Sequence, residues 1–143
     1  MIFSTSTSTG KLLDLIKRDL DATIIRHNVI ADNIANADTP GFKRGEVSFE
    51  SQLKRALDSE KKTEYPARMT NIKHIPFEEK IDYRKVKPKI SIDYDTFYRN
   101  DKNGVDIDKE MVDFTKNAMR YNLLIEMYNR NVKKVELVLR SNV

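Results

Sequence analysis

The chain has 143 residues and a mass of 16.7 kDa, enough for one modest hydrophobic core. With 39% hydrophobic residues, a mean hydropathy of −0.62 and no cysteine, that core is lean, and disulfides, thiolate metal sites and thiol nucleophiles are excluded. Lys and Arg number 26 against 22 Asp and Glu, and the excess lies in residues 43–102 (15 basic, 11 acidic), a mixed-sign balance that fits a soluble surface better than nucleic-acid binding.

Residues 1–42 read as a polar tail followed by a helix. Met1-Ile2-Phe3 and the alternating Ser and Thr after it lack the basic start and apolar block of a cleaved signal peptide. Ser8 or Thr9 is suited to cap a helix running from about Lys11 to Asn36. Its apolar positions Leu13, Ile16, Leu20, Ile30, Ile34 and Ala37 fall on a three–four repeat, with Thr23 and His27 in the two gaps. The helix then stops hard. Thr39 precedes a proline, and Pro40-Gly41 suits the central positions of a type II turn.

Residues 43–102 are irregular. Phe49, Leu53, Ala56 and Leu57 have helical spacing and predict two turns of helix. Pro66, Pro76 and Pro88 break regular structure beyond them, while Lys89–Tyr94 alternates like a strand that needs a partner. This middle reads either as a small loop-rich subdomain or as a segment partly disordered in isolation.

Residues 103–143 carry the strongest periodicity. Asn103-Gly104 marks a turn, and Asp106 or Asp108 is placed to cap the helix that follows. Ile107, Met111, Phe114, Ala118, Tyr121, Ile125, Tyr128, Val132, Val135 and Leu139 keep strict four–three spacing. A seam of that length argues for coiled-coil packing along a helix of roughly 50 Å. Acids in the first turn and Lys133, Lys134 and Arg140 near the end complement the helix dipole. The fold expected is mainly α: long N- and C-terminal helices pairing as a coiled coil, with a short, irregular, loop-rich middle of minor β content. Pairing two such helices still leaves apolar residues in water, so the pattern calls for further copies or other neighbours.

Nothing supports catalysis or a cofactor. There is no G-x-G-x-x-G or G-x-x-x-x-G-K-[ST] loop, no serine or lysine with an activating partner at a motif spacing, and only His27 and His74 as imidazole ligands. The paired acids Glu78-Glu79 and Asp93 with Asp95 lie in polar stretches where carboxylates are normally solvated. Lys85-Val86-Lys87-Pro88-Lys89 reads as a solvated basic run or as a contact for phosphates or an anionic membrane surface. No apolar run approaches the ~20 residues that span a bilayer.

The junction Ala31-Asp32-Asn33-Ile34-Ala35-Asn36-Ala37-Asp38-Thr39-Pro40-Gly41-Phe42-Lys43 resembles the N-terminal signature of the bacterial flagellar rod, hook and hook-associated axial proteins. The stretches Glu46–Lys54, Thr70–Pro76 and Asn103–Met111, with Tyr121 beyond, are similar to the proximal rod proteins of that family. The absence of a large insert between the helices agrees with them. Asp32 departs from the small or amide residue many relatives carry there.

The resemblance implies a structural subunit that passes through the flagellar type III export apparatus without signal cleavage. It would associate with itself and with other rod and basal-body proteins, bind no nucleic acid or small-molecule substrate, and not embed in the membrane. Its signature residues are Asn33, Ile34, Ala35, Asn36, Thr39, Pro40, Gly41 and Phe42, and its terminal helices order on assembly into a torque-bearing rod across the periplasm. Asn33 and Asn36 lie on one side of the first helix. They read either as a surface amide and a helix-end residue or as amides bonding backbone or neighbours at the bend. The reading from a different class is a coiled-coil adaptor for a partner helix or, less favoured, a basic RNA-associated protein.

Overall fold

A computed structural model describes residues 8–61, 80–94, 98, 100 and 102–141. The elements in chain order are α1 (Ser8–Ala35), β1 (Gly45–Ser48), α2 (Glu50–Lys61), a single 3₁₀ turn (Tyr83–Lys85), β2 (Lys89–Ile92) and α3 (Ile107–Ser141). They form two compact units. One comprises Met1–Val47 with Ile90–Val143, and the other Ser48–Lys89. Pro66, His74, Pro76, Glu78-Glu79, Asp95 and the Thr70–Pro76 stretch lie outside the described residues.

The larger unit is a helix pair. α1 has 28 residues and α3 has 35, about 42 and 52 Å at 1.5 Å per residue. Ser8 and Thr9 are already helical, so α1 starts three residues before the expected Lys11. At its end Asn36 and Ala37 donate to the carbonyls of Asn33 and Ile34, tightening the last turn before the break. Phe42 N–H then bonds Thr39 C=O at 3.3 Å and Gly41 takes φ +73°, the geometry of a type II turn across Pro40-Gly41.

At the start of α3 the cap is Asp106. Its Oδ1 accepts from the N–H groups of Asp108 and Lys109 at 3.1 and 3.3 Å. The two helices run antiparallel, as cross-links from Asp19 to Arg120, Thr23 to Asn117 and Asn33 to Glu110 require.

The partner that β2 needs is β1, and the pair is antiparallel. Asp93 N–H to Arg44 C=O continues the pairing beyond the strand ends. In the smaller unit α2 makes three turns rather than two. Buried Ser59 extends it, donating to Ala56 C=O at 2.7 Å and accepting from Ile81 N–H at 3.0 Å. Asp82 caps the 3₁₀ turn through Arg84 N–H, which sets Tyr83 in the interior.

The phase of the α3 seam differs from the sequence expectation. None of its ten apolar positions is fully buried, and Ile107 and Met111 are each 51% exposed. Tyr121, Tyr128 and Leu139 are exposed, while Phe114, Ala118, Ile125, Val132 and Val135 are half-buried. The buried line is Glu110, Asn117 and Leu124, which keeps the seven-residue period one position earlier. Two of those three are polar, and each finds a polar partner across the interface. On α1, Leu13, Ile16 and Ile30 are buried, Leu20 and Ile34 are half-buried, and Thr23 is fully buried in its gap.

Candidate assembly site

The signature segment and the start of α3 meet in a buried polar lock. Asn33 sits in the last turn of α1 and is 1% exposed, so its amide is not a surface group. Its Oδ1 accepts from Gly45 N–H at 2.9 Å and its Nδ2 donates to Gly45 C=O at 2.9 Å. The side-chain amide thus pairs with the Gly45 backbone as a peptide group of a neighbouring strand would. The second Nδ2 hydrogen reaches Glu110 Oε2 at 3.0 Å, which uses the full bonding capacity of the amide except one lone pair. Gly45 allows this close approach, since a side chain there would press on Val29. A Cβ there would stand 3.0 Å from Val29 Cγ1.

Glu110 is 0% exposed and would be untenable alone. Arg44 Nε donates to its Oε1 at 2.5 Å, and Asn33 holds the other oxygen. Burial works against the Arg44 charge, but Glu110, then Glu46 and Asp113, outweigh it and raise the guanidinium above its ordinary value. Arg44 therefore keeps its charge, and α1, the chain leaving the turn, and the first turn of α3 are tied at one point.

A second tie lies just outside it. Asn103, also 0% exposed, spreads its two Nδ2 hydrogens over the carbonyls of Asn36, Ala37 and Thr39 at 3.1, 2.9 and 2.8 Å. Its Oδ1 accepts from Val105 N–H at 2.7 Å, and Gly104 N–H bonds Phe42 C=O. The carbonyls of the bend that follows α1 are thus satisfied from the far end of the chain. Asn36 stays at the helix end, with its Nδ2 on Asp32 C=O and its Oδ1 accepting from Thr39 Oγ1. Ala35, Thr39, Pro40 and Gly41 are exposed, and Ile34 and Phe42 are half-buried.

Further along the pair, Asn117 Nδ2 donates to Thr23 C=O at 2.9 Å, and Thr23 Oγ1 donates to Leu20 C=O at 2.7 Å. The His27 and Phe114 rings pack with centroids 4.5 Å apart. Arg120 reaches both carboxylate oxygens of Asp19 at 2.8 and 3.0 Å. A cleft of about 250 Å³ opens between α1, α3 and β1, but its Arg44, Lys116 and Arg120 are already committed to Glu110, Asp113 and Asp19. A groove on the Ile24 and Tyr121 side is lined by residues of α1 and α3 alone.

Of the signature residues, Asn33 joins the lock, and Asn36, Thr39 and Phe42 accept from the Asn103–Gly104 corner through their carbonyls. Glu110, Asn103, Arg44 and Asn117 were not among the expected site residues. Glu110 reads in sequence as a first-turn acid and Asn103 as a turn residue, and neither pattern tells which partner comes from seventy residues away. Among the described residues no group of three or more metal-ligating side chains occurs, and no helix is long and apolar enough to cross a membrane.

Comparison with known proteins places this architecture. A family profile described as flagella basal body rod protein matches residues 20–43, the second half of α1 together with the turn and Lys43. The flagellar basal body rod protein FlgB of Borrelia hermsii is 40% identical over 128 residues, covering 90% of this chain and 95% of that protein. That of Borreliella burgdorferi is 37% identical with the same coverage, and that of Bacillus subtilis 31% identical over 87% of this chain and 89% of its own. At that identity and coverage, the chain belongs to the flagellar basal body rod protein family, with the FlgB proteins.

Proposed function

We propose that the chain is a structural subunit of the flagellar basal-body rod that polymerises through its terminal helices and carries torque from the inner-membrane ring towards the distal rod. The observation that carries this reading is the α3 stripe, periodic for more than four heptads yet nowhere fully buried within the chain. Burial of such a stripe is the main free-energy source for helix association. Neighbouring subunits would supply the missing cover. The polar lock supports the mechanical side, because two helices joined by a buried ion pair and two buried amides resist sliding and splaying together.

In this reading the subunit reaches the rod through the flagellar export apparatus and spans part of the periplasm with its rod neighbours, and the type II turn at Pro40-Gly41 aims the chain out of the helical core. Electron cryotomography of motors in cells lacking the gene tests it. The expected outcome is an inner-membrane ring without rod, hook or filament, restored by complementation. Complete motors with normal filaments would overturn the rod reading and favour an adaptor that binds a partner helix through the same stripe.

A further inference from the structure

α1 closes one edge of the β1–β2 pair and leaves the other open. Gly45 faces Ile92 and Ser48 faces Lys89, a register that the bond from Asp93 N–H to Arg44 C=O continues. The backbone groups of Gly45 and Val47 therefore point away from β2. Asn33 bonds both the N–H and the C=O of Gly45, and Arg26 donates to Val47 C=O at 3.5 Å. On β2 the outward groups belong to Ile90 and Ile92, and they have no partner among the described residues. Gly45, Val47, Ile90 and Ile92 all belong to the larger unit. Pro88 bounds the open edge at one end, and at the other Lys43 Nζ occupies Tyr94 C=O at 3.3 Å.

The side chains of this edge complement themselves. Ile90 and Ile92 share a face and are 53% and 50% exposed. Lys89 and Asp93 flank them with opposite charges, and Ser91 stands midway. Antiparallel self-pairing about Ser91 sets Ile90 against Ile92 of a second copy and Lys89 against its Asp93. In that register Ile90 and Ile92 of each copy exchange N–H and C=O bonds with Ile92 and Ile90 of the other. A slip of two residues loses this match. It sets Ile92 against Pro88, which has no N–H, or Ile90 against Tyr94, whose carbonyl is already occupied.

We infer that two copies of the chain join edge to edge through β2, in a four-stranded sheet ordered β1-β2-β2-β1. Because α1 closes the β1 edge, the sheet grows no further and the contact closes at two copies. A shaft of one polarity cannot repeat a two-fold pair along its axis, so the pair belongs to the chain before it enters the rod. There it covers an apolar strand edge that would otherwise accept any extended segment. The inference goes beyond the rod-subunit reading and does not depend on it.

The test uses the purified full chain, which has no cysteine of its own. Ser91 lies on the two-fold as a non-hydrogen-bonded pair, whose Cα atoms stand about 4.5 Å apart, within disulfide reach. Under mild oxidation Ser91→Cys is expected to form a covalent dimer about tenfold faster than Lys87→Cys. Lys87 is exposed as Ser91 is, but in this register it lies eight residues along the chain from the position facing its own copy. Lys89→Asp added to Ser91→Cys sets like charges opposite each other, and dimer formation should slow by about tenfold. Equal rates at positions 91 and 87 overturn the inference, as does a rate that Lys89→Asp leaves unchanged. Cross-linking of Ser91→Cys in cells to other proteins alone would assign the edge to a foreign strand and overturn it as well.

Discussion

Asn33 Nδ2 and Glu110 Oε2 meet at 3.0 Å across 77 residues of sequence, both side chains sealed from solvent. The carboxylate is held on its other oxygen by Arg44, so removing either partner strands a buried charge or an unmet amide. Glu110→Ala is expected to destabilise the chain by about 3 kcal/mol, because Arg44 is left without its main counter-charge. Glu110→Gln keeps the shape and removes the charge, so a smaller loss is expected. Urea unfolding followed by circular dichroism measures both; equal midpoints for Glu110→Ala and the unaltered chain would mean that the lock contributes nothing.

Asn103 tests whether α1 is capped from a distance. Asn103→Ala removes the contacts to three carbonyls and to Val105 N–H and leaves buried acceptors behind. A loss of roughly 2 kcal/mol is expected. Hydrogen exchange should show the last turn of α1 and the first of α3 losing protection together, because one side chain serves both. Faster exchange confined to α3 would show that the α1 end is held by other groups.

The two glycines of the bend separate strain from crowding. Gly41 has open space around it but φ +73°, so Gly41→Ala costs about 1 kcal/mol through backbone conformation alone, and Gly41→Asn costs less. Gly45 carries no positive φ, yet its added Cβ would meet Val29 at 3.0 Å. Gly45→Ala should therefore be partly rescued by Val29→Ala, whereas Gly41→Ala should not. A double-mutant cycle in unfolding free energy reads the difference.

Asp106 gives the fold an acid-sensitive end. The Lys109 backbone N–H, against a smaller opposing effect of burial and with help from the Tyr98 hydroxyl and the Asp108 N–H, holds its carboxyl below the ordinary 3.8. With the folded value lower than the unfolded one, the contribution is complete above the unfolded value. It is lost as pH falls through the folded one. Asp106→Asn keeps a capping acceptor without the titration, so the stability of α3 should fall less steeply below about pH 4 than in the unaltered chain. The same change should bring the Tyr98 phenol down, since its hydrogen bond to Asp106 is the first cause of its raised value. Identical acid profiles for the two chains would remove Asp106 from the account.

The period of α3 was legible in the sequence because hydrophobicity repeats, but its phase was not. Counting apolar residues selects Met111 and Ala118, whereas Glu110 and Asn117, one position earlier, are the buried ones because Asn33, Arg44 and Thr23 wait for them. A polar residue reads as exposed until its partner is known, and these partners are more than sixty positions away. The strand at Lys89 was visible by alternation, while β1 was not, since Gly45–Ser48 has one strongly apolar residue and is fixed by Asn33 rather than by its own pattern. The turn at Pro40-Gly41 was readable because its chemistry is local.

The stripe itself is tested by charge. Ile125 is half-buried on α3 and belongs to the apolar positions that the chain leaves partly uncovered. Ile125→Asp places a carboxylate where a neighbour's apolar surface would close, and burying an unpaired charge there costs several kcal/mol. Swimming and rod assembly are expected to be lost, while expression and helical content in the unassembled chain remain. Met119, 67% exposed and off the stripe, is the companion site, and Met119→Asp should leave swimming near normal. Loss of helical content in Ile125→Asp would place the defect in folding. Retained helix with full motility would mean that neighbours do not cover this face, and the terminal helices would then have to assemble through other exposed apolar residues, such as Leu12 and Ile24 of α1 or Leu123 and Leu137 of α3.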